Sequence, residues 1–410
     1  MSERSSTPGE LAIYLGDELI GDLVLLGDDV TEFRLHGTYR DLPLRPILGQ
    51  VFEDDLTAVH RARMRLPAFF SNLLPEGRLR ELVAARLDVA PEREFFLLAR
   101  LGEDLPGNVR AVVQSTPPED HAAPNLGEPQ VATTPFKFSL AGVQPKLSMV
   151  REGRGMTLPV SGRGGDWIVK LPGSRFRGVP ENEFATMSWA ARVGIDVPPV
   201  ELIPMTEVRG LPPGLESEDG MALAIRRFDR PSPGQRVHIE DFAQVRNVYP
   251  DFRAKYGSTN YETIGKTILH IAGAASFEEF IRRLAFIVVS ANADAHIKNW
   301  SLIYPDGVTA RLSPAYDLVS TIEFIDPDEL ALNLAKTKAW DKVSLELFAY
   351  FAQRVGADPG AVTELVRQAV RRALDEWEAI RRAYPVSRLL AERLQAHWSR
   401  VPLVSEVRGG

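Results

Sequence analysis

The sequence predicts an α+β protein in which a small α/β domain is followed by a strand-rich lobe and then by a helix-rich lobe. Short apolar runs separated by turn residues fill residues 1–114 and recur in residues 136–230, a pattern that is typical of strands. Longer segments with helical spacing of apolar residues dominate residues 231–410. Residues 115–135 contain five prolines and few large apolar residues, so we expect a linker there.

The bulk composition is that of a globular protein, with 44% hydrophobic and 25% charged residues. A net charge of −7 argues against broad, unaided binding to nucleic acid. The absence of cysteine excludes disulfides, cysteine nucleophiles and thiolate metal sites. We find neither an apolar run of about 18 residues nor a signal-like start, and therefore expect a cytoplasmic protein without membrane association.

The first domain is predicted to mix strands and helices. Apolar runs at residues 11–15 and 19–26 are separated by Gly-Asp-Glu, which is a hairpin signal, and residues 33–35 give a third short strand. Helical spacing extends over residues 68–87, where Pro-Glu-Gly interrupts it. Residues 91–100 are predicted to form another helix, because proline is tolerated in a first turn.

The strand-rich lobe is predicted from apolar runs around residues 136–150, 166–171, 197–203 and 221–228. A helix over residues 183–193 is expected to end at the following glycine. The second lobe is predicted to be all-helical, and its expected helices cover residues 261–275, 277–291, 344–355, 361–384 and 387–399.

Two acidic signatures in the helix-rich lobe carry the main chemical information. Asp294 and Asn299 are five residues apart, which is the spacing of the catalytic Asp and the metal-holding Asn in a kinase loop, and Asp317 follows 18 residues later. A bound nucleoside triphosphate needs a carboxylate to orient the attacking hydroxyl and oxygen ligands to hold Mg²⁺. We therefore predict a two-lobed, protein-kinase-like fold that uses ATP and Mg²⁺, with Asp294 as base and Asn299 and Asp317 as metal ligands.

The alternative for these residues is a purely structural role, because Asp and Asn often cap loops. A polar octet between two apolar segments is, however, costly without a purpose. Within this octet we interpret His296 as a hydrogen-bonding group that organises the loop rather than as a base. Lys298 is expected to contact the γ-phosphate or the substrate, with a solvated loop charge as an equal alternative.

Lys170 is a single charged residue inside an apolar, strand-like run. We interpret it as a lysine that reaches nucleotide phosphates; the alternative is a lysine on the solvent face of an edge strand. Glu183, at the predicted start of the next helix, would form an ion pair that fixes the Lys170 ammonium. Its alternative role is a favourable charge at a helix N-terminus, worth about 0.3–1 kcal/mol.

A polar, glycine-containing turn runs from Ser139 to Lys146 between apolar segments. Its backbone N–H groups, including those of Gly142, Val143 and Gln144, would cradle phosphate together with the Lys146 ammonium. Turns of this composition also occur without any ligand.

The segment Arg-Arg-Phe-Asp-Arg at residues 226–230 closes the strand-rich lobe. Its position suggests an interlobe hinge whose backbone, at Arg226 and Phe228, would hold an adenine ring. A charged strand end is the alternative.

Together these motifs resemble the HipA-type toxin kinases, which are the serine/threonine kinases of bacterial toxin–antitoxin pairs. The resemblance spans nearly the whole chain and follows the same order. It rests on residues 70–77 and 102–108 of the first domain, on the phosphate loop at 139–146, the lysine strand at 168–172, the hinge at 227–230, the catalytic loop at 292–299 and the metal-binding turn at 316–317.

The resemblance implies Mg-ATP-dependent phosphorylation of a protein serine or threonine, with an aminoacyl-tRNA synthetase as the target in well-known members. It also implies autophosphorylation at Ser139, where a phosphate would add a charge of about −1.5 to −2 within the ATP loop. The implied partner is a helix-turn-helix, HipB-like antitoxin, and through it operator DNA. In one departure, Arg226 stands where some members carry an acidic residue.

Two other functions share parts of this pattern. A small-molecule kinase uses the same Asp–Asn–Asp chemistry. A catalytically idle co-repressor scaffold for a DNA-binding antitoxin would not need Lys170, Asp294, Asn299 and Asp317 together.

Overall fold

A computed structural model describes the protein over residues 9–115, 146–153, 155–158, 164–173, 176–211, 215, 219–325 and 329–409. Within these ranges the strands form three separate sheets, which lie in the first domain, the strand-rich lobe and the helix-rich lobe. Among the helices described, none is both long enough and apolar enough to cross a membrane.

The first domain is built on an antiparallel sheet covered by short helices. Within residues 9–115 the strands are β1 (Gly9–Leu15), β2 (Glu18–Leu25), β3 (Val30–Leu35), β4 (His60–Arg63) and β5 (Val109–Ser115). The helices are α1 (Gly37–Arg40), α2 (Gln50–Glu53), α3 (Ala68–Ser71), α4 (Gly77–Leu87) and α5 (Glu94–Leu101). The strand order is β4–β3–β2–β1–β5.

The β1–β2 hairpin forms at the predicted Gly-Asp-Glu turn. Gly16 adopts φ +65°, in the left-handed region that favours glycine. A Cβ at this position would lie 2.9 Å from the side chain of Asn108. This turn therefore needs glycine both for its backbone conformation and for the space it leaves.

The described residues of the strand-rich lobe form a sheet and one long helix. Its described strands are β6 (Lys146–Glu152), β7 (Gly155–Thr157), β8 (Trp167–Lys170), β9 (Val200–Pro204), β10 (Val208–Arg209) and β11 (Met221–Arg226), in the spatial order β10–β7–β6–β8–β11–β9. Helix α6 (Val179–Arg192) begins after Gly178, which is left-handed at φ 80°. The helix thus starts four residues earlier than the sequence pattern predicted.

The helix-rich lobe contains α7 (Phe242–Val245), α8 (Phe252–Gly257), α9 (Tyr261–Ile271), α10 (Gly273–Ser290), α11 (Leu345–Val355), α12 (Pro359–Ala383), α13 (Arg388–Arg400) and α14 (Pro402–Gly409). Its described residues also form a small antiparallel sheet from β12 (His238–Asp241), β13 (Ser301–Tyr304) and β14 (Arg311–Leu312). The two-lobed α+β fold is confirmed, but the prediction of an all-helical second lobe was wrong in this detail.

Two apolar cores hold these parts together. One combines α6 and β11 with the helices of the second lobe, and the indole of Trp189 donates to the Ala373 carbonyl at 2.9 Å. The other is continuous between the first domain and the strand-rich lobe, since Leu11 and Leu105 belong to the same buried cluster as Leu147 and Val169. The first domain therefore packs directly on the strands that carry the candidate phosphate lysine.

Candidate active site

Lys170 occupies the last position of β8, between β6 and β11, and its side chain is buried. The Lys170 Nζ lies 2.5 Å from Glu183 Oε1 and also forms an ion pair with Asp317 Oδ1. Burial alone would lower the pKa of Lys170, but the carboxylates of Asp317 and Glu183 raise it above its ordinary value. The lysine is a buried ammonium that connects the two lobes.

Glu183 lies in the second turn of α6 and not at the helix start, so its charge does not serve the helix N-terminus. The neighbouring Asn182 fixes this helix to the second lobe. Its Nδ2 donates to the Ser320 carbonyl at 3.1 Å, and its Oδ1 accepts from the Ser320 N–H at 2.8 Å. These hydrogen bonds join helix α6 to Ser320, three residues after Asp317. Glu183 therefore lies near both Lys170 and the turn that carries Asp317.

Asp317 follows β14 in a turn where its backbone is left-handed at φ 54°. Besides Lys170, its carboxylate has the Lys146 ammonium 3.8 Å from Oδ2. Burial would raise the pKa of Asp317, but these two ammonium groups hold it well below its ordinary value. The preceding Tyr316 donates to the Lys298 carbonyl at 2.8 Å, so the turn is bonded to the loop that contains Asp294.

The loop from Asn292 to Asn299 begins where α10 ends, at Ala291 in a left-handed C-cap conformation with φ 50°. Its polar side chains bond to its own backbone. Asn292 Oδ1 accepts from the Asp294 N–H at 2.9 Å, and Asn299 Nδ2 donates to the Asp294 carbonyl at 2.7 Å. The loop therefore holds the Asp294 backbone from both sides.

Tyr256, on α8, donates its hydroxyl hydrogen bond to Asp294 Oδ1. Burial and the nearby Asp294 carboxylate raise the pKa of Tyr256, so the phenol remains a donor. The Tyr256 ring also packs edge-on against the His296 ring, with centroids 5.1 Å apart. Tyr256 could not be predicted as a site residue from the sequence, because no pattern relates α8 to a loop almost 40 positions later.

His296 and Lys298 lie in surroundings other than those predicted. His296 is buried, burial lowers its pKa, and its Nδ1 has no hydrogen-bond partner among the described residues. The Lys298 side chain is only 5% exposed, so it is not a solvated loop charge. Its Nζ donates to Asn72 Oδ1 of the first domain at 2.6 Å. The ammonium also lies 3.1 Å from Asp241 Oδ2. Lys298 therefore binds the first domain.

The predicted hinge combines partly buried with fully buried groups. Arg226 forms an ion pair with Asp166, and the ring of Phe228 lies 5.9 Å from the ring of Tyr316. Arg227 is completely buried and makes two hydrogen bonds to Asp229, at 2.9 and 2.7 Å. Burial alone would raise the pKa of Asp229, but Arg227 and Arg230 lower it far below its ordinary value. Strand β11 ends at Arg226, so the segment is a charged strand end that also contains this buried pair, and its role as an adenine-binding hinge stays a prediction.

The remaining predicted site residues lie outside the described part of the chain. These are Ser139, Gly142, Val143 and Gln144, whose phosphate-binding role stays a prediction. Lys146, at the end of the same segment, is the first residue of β6 and directly opposes Lys170 in the ladder.

The side chains of Asn299 and Asp317 fit a magnesium ion. They line one small pocket together with Asn292, Trp300 and Tyr316. Because Asn299 Nδ2 already donates to a carbonyl, its amide oxygen is the atom left to act as a ligand. The described residues contain no cluster of three or more His, Cys, Asp or Glu side chains suited to a metal. An amide and a carboxylate oxygen suit Mg²⁺, which keeps several of its waters and takes few protein ligands.

The fold and the site define a class of protein: a two-lobed, protein-kinase-like fold with a buried lysine–glutamate pair and an Asp–Asn–Asp set. Comparison with known proteins narrows this class. The HipA N-terminal domain family matches residues 11–112, and the HipA-like C-terminal domain family matches residues 138–377. The chain belongs to the HipA-like toxin kinase family, as the sequence motifs predicted.

Known proteins match this chain in sequence over most of its length. The protein Y4dM of Sinorhizobium fredii is 42% identical over 97% of this chain and 98% of its own length. The serine/threonine-protein kinase toxin HipA of Shewanella oneidensis is 26% identical, over 83% of this chain and 81% of its own. A solved complex of Shewanella oneidensis HipA with HipB and operator DNA matches with a TM-score of 0.71 at 21% identity, covering 98% of this chain and 99% of that one. The last match shows that the fold is shared.

Proposed function

We propose that this protein is an ATP-dependent serine/threonine protein kinase and the toxin of a bacterial toxin–antitoxin pair. The observation that carries this proposal is the contact of Lys170, from the strand-rich lobe, with both Glu183 and Asp317. The turn that carries Asp317 is bonded through Tyr316 to the loop that contains Asp294 and Asn299. A phosphotransferase needs this convergence of one ammonium with separate acidic and amide groups.

Each residue has a distinct role in the proposed transfer. Glu183 keeps the Lys170 ammonium in place while Lys170 exchanges its contact with Asp317 for phosphate oxygens of ATP. The Asp294 carboxylate orients the substrate hydroxyl and accepts its proton as the hydroxyl oxygen bonds to the γ-phosphorus, while the bond from that phosphorus to the β–γ bridging oxygen breaks and ADP leaves. The amide oxygen of Asn299 and the carboxylate of Asp317 hold Mg²⁺, which when bound neutralises charge on the phosphates.

The predicted phosphate loop and hinge complete the ATP site. Backbone groups of Gly142, Val143 and Gln144 would bind phosphates together with Lys146, whose ammonium is already next to Asp317. The backbone of Arg226 and Phe228 would bind adenine.

Partners follow from the family and from the shared fold. A HipA of this fold has been solved with HipB and operator DNA, and we infer that this chain likewise binds a helix-turn-helix antitoxin and, through it, operator DNA. The proposed substrate is a translation component such as an aminoacyl-tRNA synthetase, and Ser139 is the proposed site of autophosphorylation.

The test is transfer of radiolabelled phosphate from ATP with Mg²⁺ to the protein itself. We expect label on the wild-type protein, its loss in Ser139→Ala, and loss of transfer in Asp294→Asn with ATP binding retained. Asp306→Asn, which changes an exposed aspartate outside the site, should behave as wild type. Transfer by Asp294→Asn at the wild-type rate would refute the assignment of Asp294, and label only on small molecules would favour a small-molecule kinase.

A further inference from the structure

Glu76 of the first domain is buried against the second lobe, although glutamate is rarely buried without a partner. Its Oε2 forms an ion pair with the Lys255 ammonium, and its Oε1 lies 3.4 Å from Lys298 Nζ. Burial would raise the pKa of Glu76, but Lys298 and Lys255 hold it below its ordinary value. Glu76 is therefore an ionised carboxylate that two buried lysines share.

These three groups and Asp241 form a charge-balanced cluster. Lys298 Nζ lies 3.1 Å from Asp241 Oδ2, so two ammonium groups face two carboxylates. Asn72, four residues before Glu76, accepts from the same Lys298 ammonium. Charges that leave water are costly unless they are paired in good geometry. The cluster therefore fixes the relative positions of the elements that supply its members.

Both lysines of the cluster lie next to Asp294, but by different routes. Lys298 follows Asp294 by four residues in the same loop. Lys255 precedes Tyr256 on α8, and Tyr256 donates directly to Asp294 Oδ1. A single carboxylate of the first domain thus holds the loop that carries Asp294 and the helix that hydrogen-bonds its side chain.

We propose that Glu76 is a positioning residue for Asp294, so that the first domain completes the active site and is not merely appended to it. This inference rests on the proposed function for its catalytic consequence. Asn72 of the first domain also reaches this loop, through Lys298, whereas some described contacts between the first domain and the second lobe lie outside it. The Gln50 amide, for example, donates to the Tyr304 hydroxyl at 3.0 Å, on β13. Gln50→Ala therefore separates positioning of Asp294 from general loosening of the interface.

The experiment compares the full-length variants Glu76→Gln, Tyr256→Phe and their double mutant with two controls. Glu81→Gln removes an exposed charge from α4, the helix that Glu76 immediately precedes, and Gln50→Ala weakens the interface elsewhere. Because misplacing a catalytic group by about 1 Å costs about 100-fold in rate, we expect Glu76→Gln to lower kcat about 10- to 100-fold with KM for ATP within about twofold. Both controls should keep the wild-type kcat.

The double mutant tests the route. If Glu76 acts partly through Lys255 and Tyr256, the loss in the double mutant will be smaller than the product of the two single losses, since the residues act as one unit. Tyr256→Phe keeps the ring and its packing, so a folded protein with lowered kcat is expected even if Glu76→Gln proves unstable. An unchanged kcat in Glu76→Gln, or in Tyr256→Phe, would overturn the proposal, as would an equal loss in Gln50→Ala.

Hydrogen exchange provides a readout that does not need activity. The Asp294 N–H, which donates to Asn292 Oδ1, should exchange faster in Glu76→Gln than in wild type or Gln50→Ala. Unchanged exchange there would overturn the positioning role. If the wild-type protein transfers no phosphate, the proposed function is refuted. If the Asp294 N–H nevertheless exchanges faster in Glu76→Gln, the positioning role of Glu76 is still supported.

Discussion

Glu240 provides a quantitative test of the interface between the first domain and the second lobe. It is completely buried on β12, where the Tyr304 hydroxyl donates to Oε1. The Gln50 backbone N–H lies 3.2 and 3.1 Å from its two oxygens. Burial raises the pKa of Glu240 from its ordinary 4.5 to about 8, and the two hydrogen bonds only partly oppose this. Glu240→Gln keeps the shape of the side chain and removes the titration.

The sign of the pH effect follows from proton linkage. Between pH 4.5 and about 8 the folded protein keeps a proton on Glu240 that the unfolded chain has lost, so stability falls as the pH rises across this window. At 1.36 kcal/mol for each tenfold change in proton affinity, the loss amounts to at most about 5 kcal/mol. Below pH 4.5 both states are protonated, and Glu240 contributes no pH dependence.

The assay is the free energy of unfolding in denaturant, measured from pH 5 to pH 9 for wild type and Glu240→Gln. We expect the free energy of unfolding of Glu240→Gln, relative to that of wild type, to increase as the pH rises. The increase should reach about 2–5 kcal/mol at pH 9, after allowance for relaxation of the site. Glu346→Gln, at an exposed position, should follow wild type throughout. Parallel pH profiles of wild type and Glu240→Gln would refute the reasoning that Glu240 is held protonated.

Two further substitutions test the ammonium and the guanidinium that connect the parts of the chain. Lys170→Met should lower kcat/KM for ATP about 100-fold or more, which is about 2.7 kcal/mol, because Glu183 and Asp317 then lack their shared cation. Lys266→Met, on an exposed face, is the control. A decrease in kcat/KM of less than about threefold in Lys170→Met would contradict the phosphate role. Arg227→Met should destabilise folding by about 3–5 kcal/mol, since it breaks a buried pair; a denaturation midpoint equal to that of wild type would contradict this.

The sequence was sufficient to predict the elements with strong local patterns. The spacing of Asp294 and Asn299 and the single lysine in an apolar strand identified residues that the structure connects through Asp317 and Tyr316. Long helices with a clear apolar face, such as α10 and α12, lie within a few residues of their predicted bounds. These features are encoded by neighbours in sequence, where periodicity is informative.

Contacts between distant segments could not be predicted in this way. Glu76 and Lys298 are separated by 222 positions, and no local pattern specifies that they meet. The second-lobe sheet was missed because β12 has only four residues and β14 only two, too few to show alternation. The start of α6 did carry a signal, since Pro180 stands in its first turn. The predicted domain limits remain predictions.

The buried cluster shared by the first domain and the strand-rich lobe bears on how this protein can be divided experimentally. The sequence has a proline-rich segment at residues 115–135, yet Leu11 and Leu105 belong to one buried cluster with Leu147 and Val169. A fragment beginning at residue 136 would therefore expose an apolar surface that is buried in the intact molecule, and such a surface promotes self-association. Measurements on separate fragments would report on this newly exposed surface as much as on the chemistry of the active site.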